Sequence, residues 1–422
     1  MNQSVVLRAV HLAGESSRSM LVPATGLTRG AVGTIVGDLV DLRLLEEERA
    51  GSDGSPGRPS TLVRPSPRAV VVAFDIRVET VAVGVFTLGG HRLAATRISR
   101  DHDRGPEHTV DEVATIARGL LELLPPDTVV HGVGAAVAGL VRQHDQLVVS
   151  GPNLGWRDVP IGALLRDRLG ADVHVAVGND GDLGALAETR RGAAVGLADV
   201  VYLSGEVGIG GGVIAGGRPL TGSAGCSGEV GHIPVNPDGL PCNCGSSGCW
   251  ETEAGDHALL RRVGRSDEIG TAAIEAVVHD AEAGDAAVLA ALDEHARWVA
   301  FGLAGVANTF DPDLVVLGGT LARIHPYIAE AVDRELDRRA FDVIRAHARV
   351  VPSELGIDAM LTGAAEWAWS RCSPNHRGQR RASRRRRSSD GALDQERAFC
   401  RRLEQTSAGA ADRGGRLVRD QG

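Results

Sequence analysis

The chain has no lysine: all 45 of its basic side chains are arginines. That bias belongs to the coding of an Arg- and Ala-rich proteome and is no device of function. Aromatic residues are scarce too, at 3% of 422 residues. No apolar run reaches the roughly 18 residues of a membrane helix, which excludes a span of that kind. The opening residues, MNQSVVLRAVHLAGESS, have Arg8 inside their apolar stretch and lack a signal-peptide layout. Excess positive charge is missing as well, since the net charge is −9. Thirteen arginines against six acids from Pro374 onward leave −16 on everything before it. That excludes a protein that coats nucleic acid generally, so any DNA contact is local. Cysteine is sparse, six in all, and three of the six crowd into one short stretch. Such a distribution fits a metal in a reducing compartment better than a disulfide framework, and the expected location is the cytoplasm.

That stretch runs from Gly228 to Glu251, GEVGHIPVNPDGLPCNCGSSGCWE. Cys242, Cys244 and Cys249 bring three thiolates together in a Gly-rich turn, with His232 upstream. Three thiolates and one imidazole complete a tetrahedral zinc set with no open position, the mark of a structural Zn2+. The alternatives are a disulfide pair with a spare thiol, or unrelated core cysteines. Glu229 and Glu251 flank the set and are free for other work.

Residues 1–66 read as a small helical unit. Val6, Ala9, Val10 and Ala13 make one face of a short helix, and a second helix is expected over Arg18 to Thr25. After the turn Gly26-Leu27, Thr28 is a good N-cap. Val32, Ile35, Val36, Leu39 and Val40 then form the apolar stripe of a third helix. Two extended pieces around a Gly/Ser/Pro turn follow, and the whole predicts a winged helix-turn-helix DNA-binding domain. In that layout Thr28, Arg29, Gly30, Gly33 and Thr34 face base edges, and Arg58 reaches DNA from the wing. Arg29 offers guanine a bidentate pair. The alternative is an ordinary three-helix packing domain. Pro23 suits a helix only near its start. With eight arginines against seven acids over residues 1–68, non-specific DNA affinity should be modest.

From Ala69 the texture changes to a large α/β body, 69–372. AVVVAFDI and TVAVGVFTL predict a hairpin, HRLAATRI a third strand, and Val110 to Leu124 an amphipathic helix. VVHGVGAAVAGLV, QLVVSG and VHVAVGND read as further strands. VVYLSGEVGIGGGVIAGG is a second strand–Gly turn–strand unit, followed by a long helix over Ala286 to Asn308, the strand DLVVLGG and a last helix from Gly363 to Arg371. Two hairpin-started halves suggest a duplicated fold with a ligand cleft between lobes.

These residues resemble the ROK family, named for repressors, open reading frames and kinases. The resemblance is carried by Glu229-x-Gly231-His232 with Cys242-Asn-Cys244-Gly-x-x-Gly248-Cys249-x-Glu251. Pro152-Asn153-Leu154-Gly155-Trp156, Val177-Gly-Asn179-Asp180 and Leu317-Gly318-Gly319 agree with it. It implies a two-lobed, actin-like ATPase fold of the sugar kinase and ribonuclease H-like kind, with a structural zinc knuckle. It makes His232, Cys242, Cys244 and Cys249 the zinc ligands, and puts Asn153, Asp180, Glu229, His232 and Glu251 on sugar hydroxyls. For Asn153 a plain turn role after Pro152 is the alternative, and Trp156 is assigned to packing. Family members with an N-terminal winged unit are sugar-responsive transcription factors, so operator DNA, a sugar and a homodimeric or tetrameric assembly are the expected partners, with no membrane.

Asp180 matches the general base of the kinases, the catalytic residue if kinase activity is retained. The phosphate turns differ. Where the kinases carry Asp-x-Gly-x-Thr, this chain has Asp75-Ile76-Arg77-Val78-Glu79-Thr80, and after Leu203 it has Ser204-Gly205-Glu206-Val207-Gly208. Like charges ~4 Å apart cost about 4 kcal/mol at an effective dielectric of 20. ATP is therefore not expected, and a regulator with a decayed ATP site and a kept sugar site is preferred over an active hexose kinase. Residues 373–422 are Arg-rich and read as a disordered extension, with Arg384 to Arg387 as the alternative phosphate-binding arm.

Overall fold

A computed structural model of the chain describes residues 2–49, 61–170, 173–223 and 225–372. Arg58 and the segment 373–422 lie outside the described residues. The first three helices, Asn2–Ala13, Arg18–Thr25 and Arg29–Asp41, form where periodicity places them. Ser17 caps the second by accepting from Met20 N–H, and Thr28 caps the third by accepting from Ala31 N–H. Pro23 stands in the last turn of its helix rather than the first, where one hydrogen bond is forfeited just before Gly26 ends the helix in the left-handed region. Strands Leu45–Arg49 and Thr61–Pro65 pair antiparallel, with Ser16–Ser17 added on the second.

Two five-stranded sheets follow the same plan. In the first, Ala69–Ile76 is central, hairpin-paired with Thr80–Thr87 and then Arg92–Ser99 on one side. Val129–Val137 and Val175–Asn179 lie parallel to it on the other. In the second, Val200–Gly205 is central, with Ile209–Ala215 and Arg218–Pro219 antiparallel on one side. Leu314–Gly318 and Arg349–Pro352 are parallel on the other. The duplication expected from the two hairpins is therefore present. Its consequence is that the turns Arg77–Glu79 and Glu206–Gly208 occupy equivalent places in the two halves.

Several expectations are corrected. VVHGVGAAVAGLV is two strands, Val129–Val137 and Leu140–Arg142, and the second joins a small separate sheet. The last helix begins at Ala359, four residues earlier than the pattern indicates. The helix Asp180–Arg191 was hidden by glycines at 181 and 184, which lower helix propensity but admit close neighbours. A Cβ on Gly184 would lie 2.4 Å from the Tyr202 ring. Gly319–Arg339, a 21-residue helix, was masked by the Gly pair at its start and by Pro326 within it.

The apolar core is continuous from the N-terminal helices into the body. Val6, Val10, Val36 and Leu39 belong to one buried cluster with Phe86, Tyr202 and Met360, Trp367 and Trp369 of the Ala359–Arg371 helix. That helix packs backbone to backbone: a Cβ on Gly134 would lie 1.8 Å from Ala364 O, and one on Gly363 would lie 1.9 Å from Leu183 O. Gly→Ala inside a helix ordinarily stabilises by about 1 kcal/mol. At Gly363 the clash reverses the sign. Gly363→Ala is expected to lower stability by about 1–3 kcal/mol, read as a lower midpoint in urea unfolding.

Candidate functional site

The segment that opens at Gly228 is laid against the hairpin strand Ile209–Ala215. Its one-turn helix Val230–His232 sits so close that a Cβ on Gly231 would be 2.0 Å from Ile209 O. Beyond it the chain folds back on itself. Val235 and Asn236 N–H both donate to Gly248 O, Gly248 N–H to Leu240 O, and Trp250 N–H to Ile233 O. Trp250 is fully buried and donates from its indole to Trp298 O at 2.9 Å, anchoring the loop to the helix Ala286–Phe310.

This folding brings His232, Cys242, Cys244 and Cys249 together, their ligand atoms all within 4.8 Å of one another. Cys242 Sγ lies 3.6 Å from His232 Nδ1, and Cys244 Sγ lies 3.6 Å from Cys249 Sγ. Bonds of about 2.3 Å to a tetrahedral zinc set ligand–ligand edges of roughly 3.8 Å, so the four donors fit such an ion in type, number and spacing. Nδ1 is the imidazole nitrogen on the sulfur side. Nε2 looks the other way, 3.8 Å from Glu229 Oε2.

Glu251 is not independent of this cluster, contrary to the reading that it is free. Its Oε1 accepts a hydrogen bond from the Cys242 thiol at 2.9 Å and lies 3.5 Å from His232 Nδ1. A ligating Cys242 is a thiolate with no proton to donate, so that hydrogen bond and metal ligation exclude one another. Glu251 also reaches the Glu206–Gly208 turn, where a Cβ on Gly208 would meet its Oε2 at 2.2 Å.

Asp180 comes to the same place from the first half. Asn179 caps the helix Asp180–Arg191 by accepting from Asp182 N–H, and Asp180 accepts from Gly181 N–H. Burial pushes the Asp180 carboxyl up to about 7, and Glu206, Glu229 and Asp75 add to it. Burial, then Glu229 and Asp180, raise Asp182 to about 7 as well. Glu229 is held above its ordinary range by burial and by Glu251, against the pull of His232. Asn153 is exposed on the turn Pro152–Leu154 and makes none of these contacts, and Trp156 is buried as assigned.

The equivalent turns of the two halves meet through Arg77. Its guanidinium donates from Nε to Asp75 Oδ2 at 2.8 Å, from Nη1 to Glu206 Oε1 at 2.6 Å and from Nη2 to Ile357 O at 2.7 Å. Burial opposes its charge, but Asp75 and Glu206 outweigh burial and hold its pKa well above the ordinary arginine value. Arg97 adds a second guanidinium on Asp75, at 3.1 Å. Glu79 also crosses between halves, accepting from Thr271 N–H and Oγ1–H at 3.2 and 2.8 Å. Gly318 and Gly319 answer to packing: a Cβ on the first would meet Tyr202 Oη at 2.1 Å and one on the second Gly205 O at 1.9 Å.

Sequence reading missed Asp182 and Asp256. Asp182 has the signal of two acids spaced i, i+2 in a first helical turn. Asp256 has none, since only the fold sets it beside Glu206, whose carbonyl accepts its N–H at 3.4 Å. Burial, with Glu206 and Glu79, lifts Asp256 to about 7. At the N-terminal unit, Thr28, Arg29, Gly30 and Thr34 are exposed along the start of the helix Arg29–Asp41, and Gly33 is half-buried.

The ROK family profile matches residues 71–371. The chain belongs to the ROK family. Like other members, it has the two-lobed, sugar-kinase-like, actin-type fold. The xylose repressor of Bacillus subtilis is 28% identical to it over 364 residues, 86% of this chain and 93% of that protein. A solved ROK family transcriptional regulator, a homologue of the E. coli MLC protein, aligns over 87% of this chain and 96% of its own, with TM-score 0.74 at 23% identity, a likeness of fold. The ROK family glucokinase from Streptomyces griseus, solved with glucose and AMPPNP, is 31% identical over 71% of this chain and 99% of its own, with TM-score 0.63. Among the described residues no helix is long and apolar enough to cross a membrane.

An acid whose pKa is raised on folding costs stability, and the cost grows as pH climbs from the unfolded to the folded value and is constant above. For Asp182 that window runs from 3.8 to about 7. Asp182→Asn removes the cost. Its gain in unfolding free energy is expected to be larger at pH 8 than at pH 5, by about 2–3 kcal/mol, in urea titrations at the two pH values. Equal gains would contradict the raised value.

Proposed function

We propose that this ROK protein is a sugar-responsive transcriptional repressor of carbohydrate-metabolism genes whose kinase-like body senses the sugar without using ATP. The observation that carries this is Arg77. Its guanidinium lies in the turn where the kinases present a phosphate-binding glycine, and it is saturated by Asp75, Glu206 and Ile357 O. A polyphosphate entering there would have to break a buried ion pair and face two carboxylates that lose their partner. The similarity to repressors supports the reading further, because it extends over 86% of the chain and so beyond the body.

In this reading Glu229, His232, Glu251, Asp180 and Asn153 bind sugar hydroxyls, which paired carboxylate and amide groups accept or bridge. His232, Cys242, Cys244 and Cys249 hold a zinc ion, which supplies fixed tetrahedral geometry and no catalysis. Nδ1 is then the ligating nitrogen, and Nε2 is left for Glu229 or a hydroxyl. The N-terminal unit acts as a winged helix-turn-helix: Thr28, Arg29, Gly30, Gly33 and Thr34 approach base edges and Arg58 the wing contact. A homodimer or tetramer in the cytoplasm presents paired units to operator half-sites. Sugar alters DNA affinity only through unequal affinity for two body conformations.

One observation favours a second reading, ATP-dependent sugar phosphorylation. Asp180 is retained with its carboxyl raised to about 7, near where a general base works best. A coupled assay over a hexose panel separates the two, and turnover at ordinary kinase rates of about 1–100 per second would sink the repressor-only reading. The repressor reading expects no such turnover, together with a mobility shift of the DNA upstream of its own gene that changes with sugar. Cys244→Ser is expected to lose both bound zinc, measured by atomic absorption, and the sugar response. Arg29→Ala should lose DNA binding alone, by roughly 10-fold or more, as expected for a bidentate base contact worth about 1–3 kcal/mol.

A further inference from the structure

The helix Asp180–Arg191 has one end in the candidate sugar site and the other against the N-terminal helices. Its first turn carries Asp180 and Asp182, and its 12 residues span about 17 Å. At its far end Arg190 and Arg191 enter a buried cluster around Glu366, which is 1% exposed. Arg191 Nε donates to Glu366 Oε1 at 2.7 Å, and Arg190 Nη1 donates to Oε2 at 3.1 Å. Arg191 Nη2 also donates to the backbone carbonyl of His11 at 3.1 Å, near the end of the helix Asn2–Ala13. The His11 ring completes the cluster. Its Nδ1 accepts from Gly89 N–H at 2.9 Å, so Nε2 carries the proton and donates it to Glu366 Oε2 at 2.8 Å. Burial opposes the Glu366 charge, but His11, Arg191 and Arg190 prevail and hold the carboxyl at about 2.

One carboxylate thus ties the first helix of the N-terminal unit to two helices of the body. The connecting helix has no slack. On one side a Cβ at Gly181 would lie 2.5 Å from Gly211 O, and on the other a Cβ at Gly363 would lie 1.9 Å from Leu183 O. Backbone in direct contact with backbone cannot absorb a shift locally and passes it on. The receiving helix, Asn2–Ala13, shares its buried face of Val6, Leu7 and Val10 with Val32, Val36 and Leu39 of the helix Arg29–Asp41.

We propose that Arg191 and His11 are positioning residues for the sugar response: a ligand at Asp180 moves the helix as a rod, and Arg191 delivers that movement to His11 and so to the DNA-facing helix. The proposal rests on the sugar-responsive reading above. Arg191→Ala removes the bond to the His11 carbonyl and leaves Glu366 paired with Arg190 and His11, whereas His11→Leu removes the ring's bond to Glu366 and leaves both arginine pairs intact, so the two variants cut different links of the path.

The test uses the full chain and the DNA upstream of its gene. Fluorescence anisotropy gives DNA affinity with and without D-xylose or D-glucose, and calorimetry gives sugar affinity. In the wild type a bound sugar should change DNA affinity by roughly 10-fold or more, within the usual range of coupling. Both variants should bind sugar and, without it, DNA within about threefold of wild type, while the sugar-dependent change falls below about twofold. Variants that keep the full sugar-dependent change overturn the proposal. So do variants that lose sugar affinity, because a purely structural role would act there and on thermal stability together. A wild type that answers to neither sugar, nor to any other in a panel of pentoses, hexoses and N-acetylhexosamines, overturns instead the sugar-responsive reading.

Discussion

The two halves of this protein depend on where one buried arginine finds its charge partners. Arg77 comes from the hairpin turn of the first half, and Glu206 from the equivalent turn of the second, with Asp75 beneath both. A guanidinium taken out of water is costly unless its planar set of donors is filled, and here the Nε, Nη1 and Nη2 positions all donate. The same cluster raises Glu206 through burial while Arg77 opposes the rise, and Glu206 in turn raises Asp180 and Asp256. The electrostatics of these acids therefore run through a contact between halves. A fold whose relatives include a glucokinase solved with a nucleotide analogue here carries its own cation in the turn.

The loop of the three cysteines is organised by the same kind of economy. Its donors are brought to metal-binding distances by backbone hydrogen bonds around Gly248, whose φ of +64° and 1.7 Å Cβ clearance to Asn236 O admit glycine alone. Trp250 then fixes the loop to the long helix behind it. Glu251 follows directly on that tryptophan, so the residue that anchors the loop also aims a carboxylate at Cys242 and His232. Metal donors and acids share a scaffold, and neither group moves independently of the other.

Much of this was legible in the chain. The cysteine spacing with His232 identified the donor set, because soft ligands at close spacing in a Gly-rich turn have few other uses. The two β-branched hairpins announced the duplication. The Thr28 cap and the stripe from Val32 to Val40 placed the third helix correctly. What stayed hidden is equally specific. The helix Asp180–Arg191 has glycines that argue against a helix locally and are required only because Gly211 and Tyr202 approach them. The hold of Arg77 on Glu206 as well as Asp75 was hidden, since Glu206 lies 129 residues away in the chain. Asn153 carried a motif's signature but is exposed on its turn and makes none of the contacts that join the acids.

By itself the sequence determined the N-terminal helices, the two hairpins, the donor chemistry of the Cys/His loop and an arginine in the first hairpin turn, since these are set by residue identity and near-neighbour spacing. Tertiary structure alone decided which charges meet. Arg77 with Glu206, Glu79 with Thr271, and Glu366 with His11 and Arg191 are partnerships between distant segments. Their strength and their pKa consequences depend on burial and on distances of a few ångströms, which periodicity along a chain does not encode.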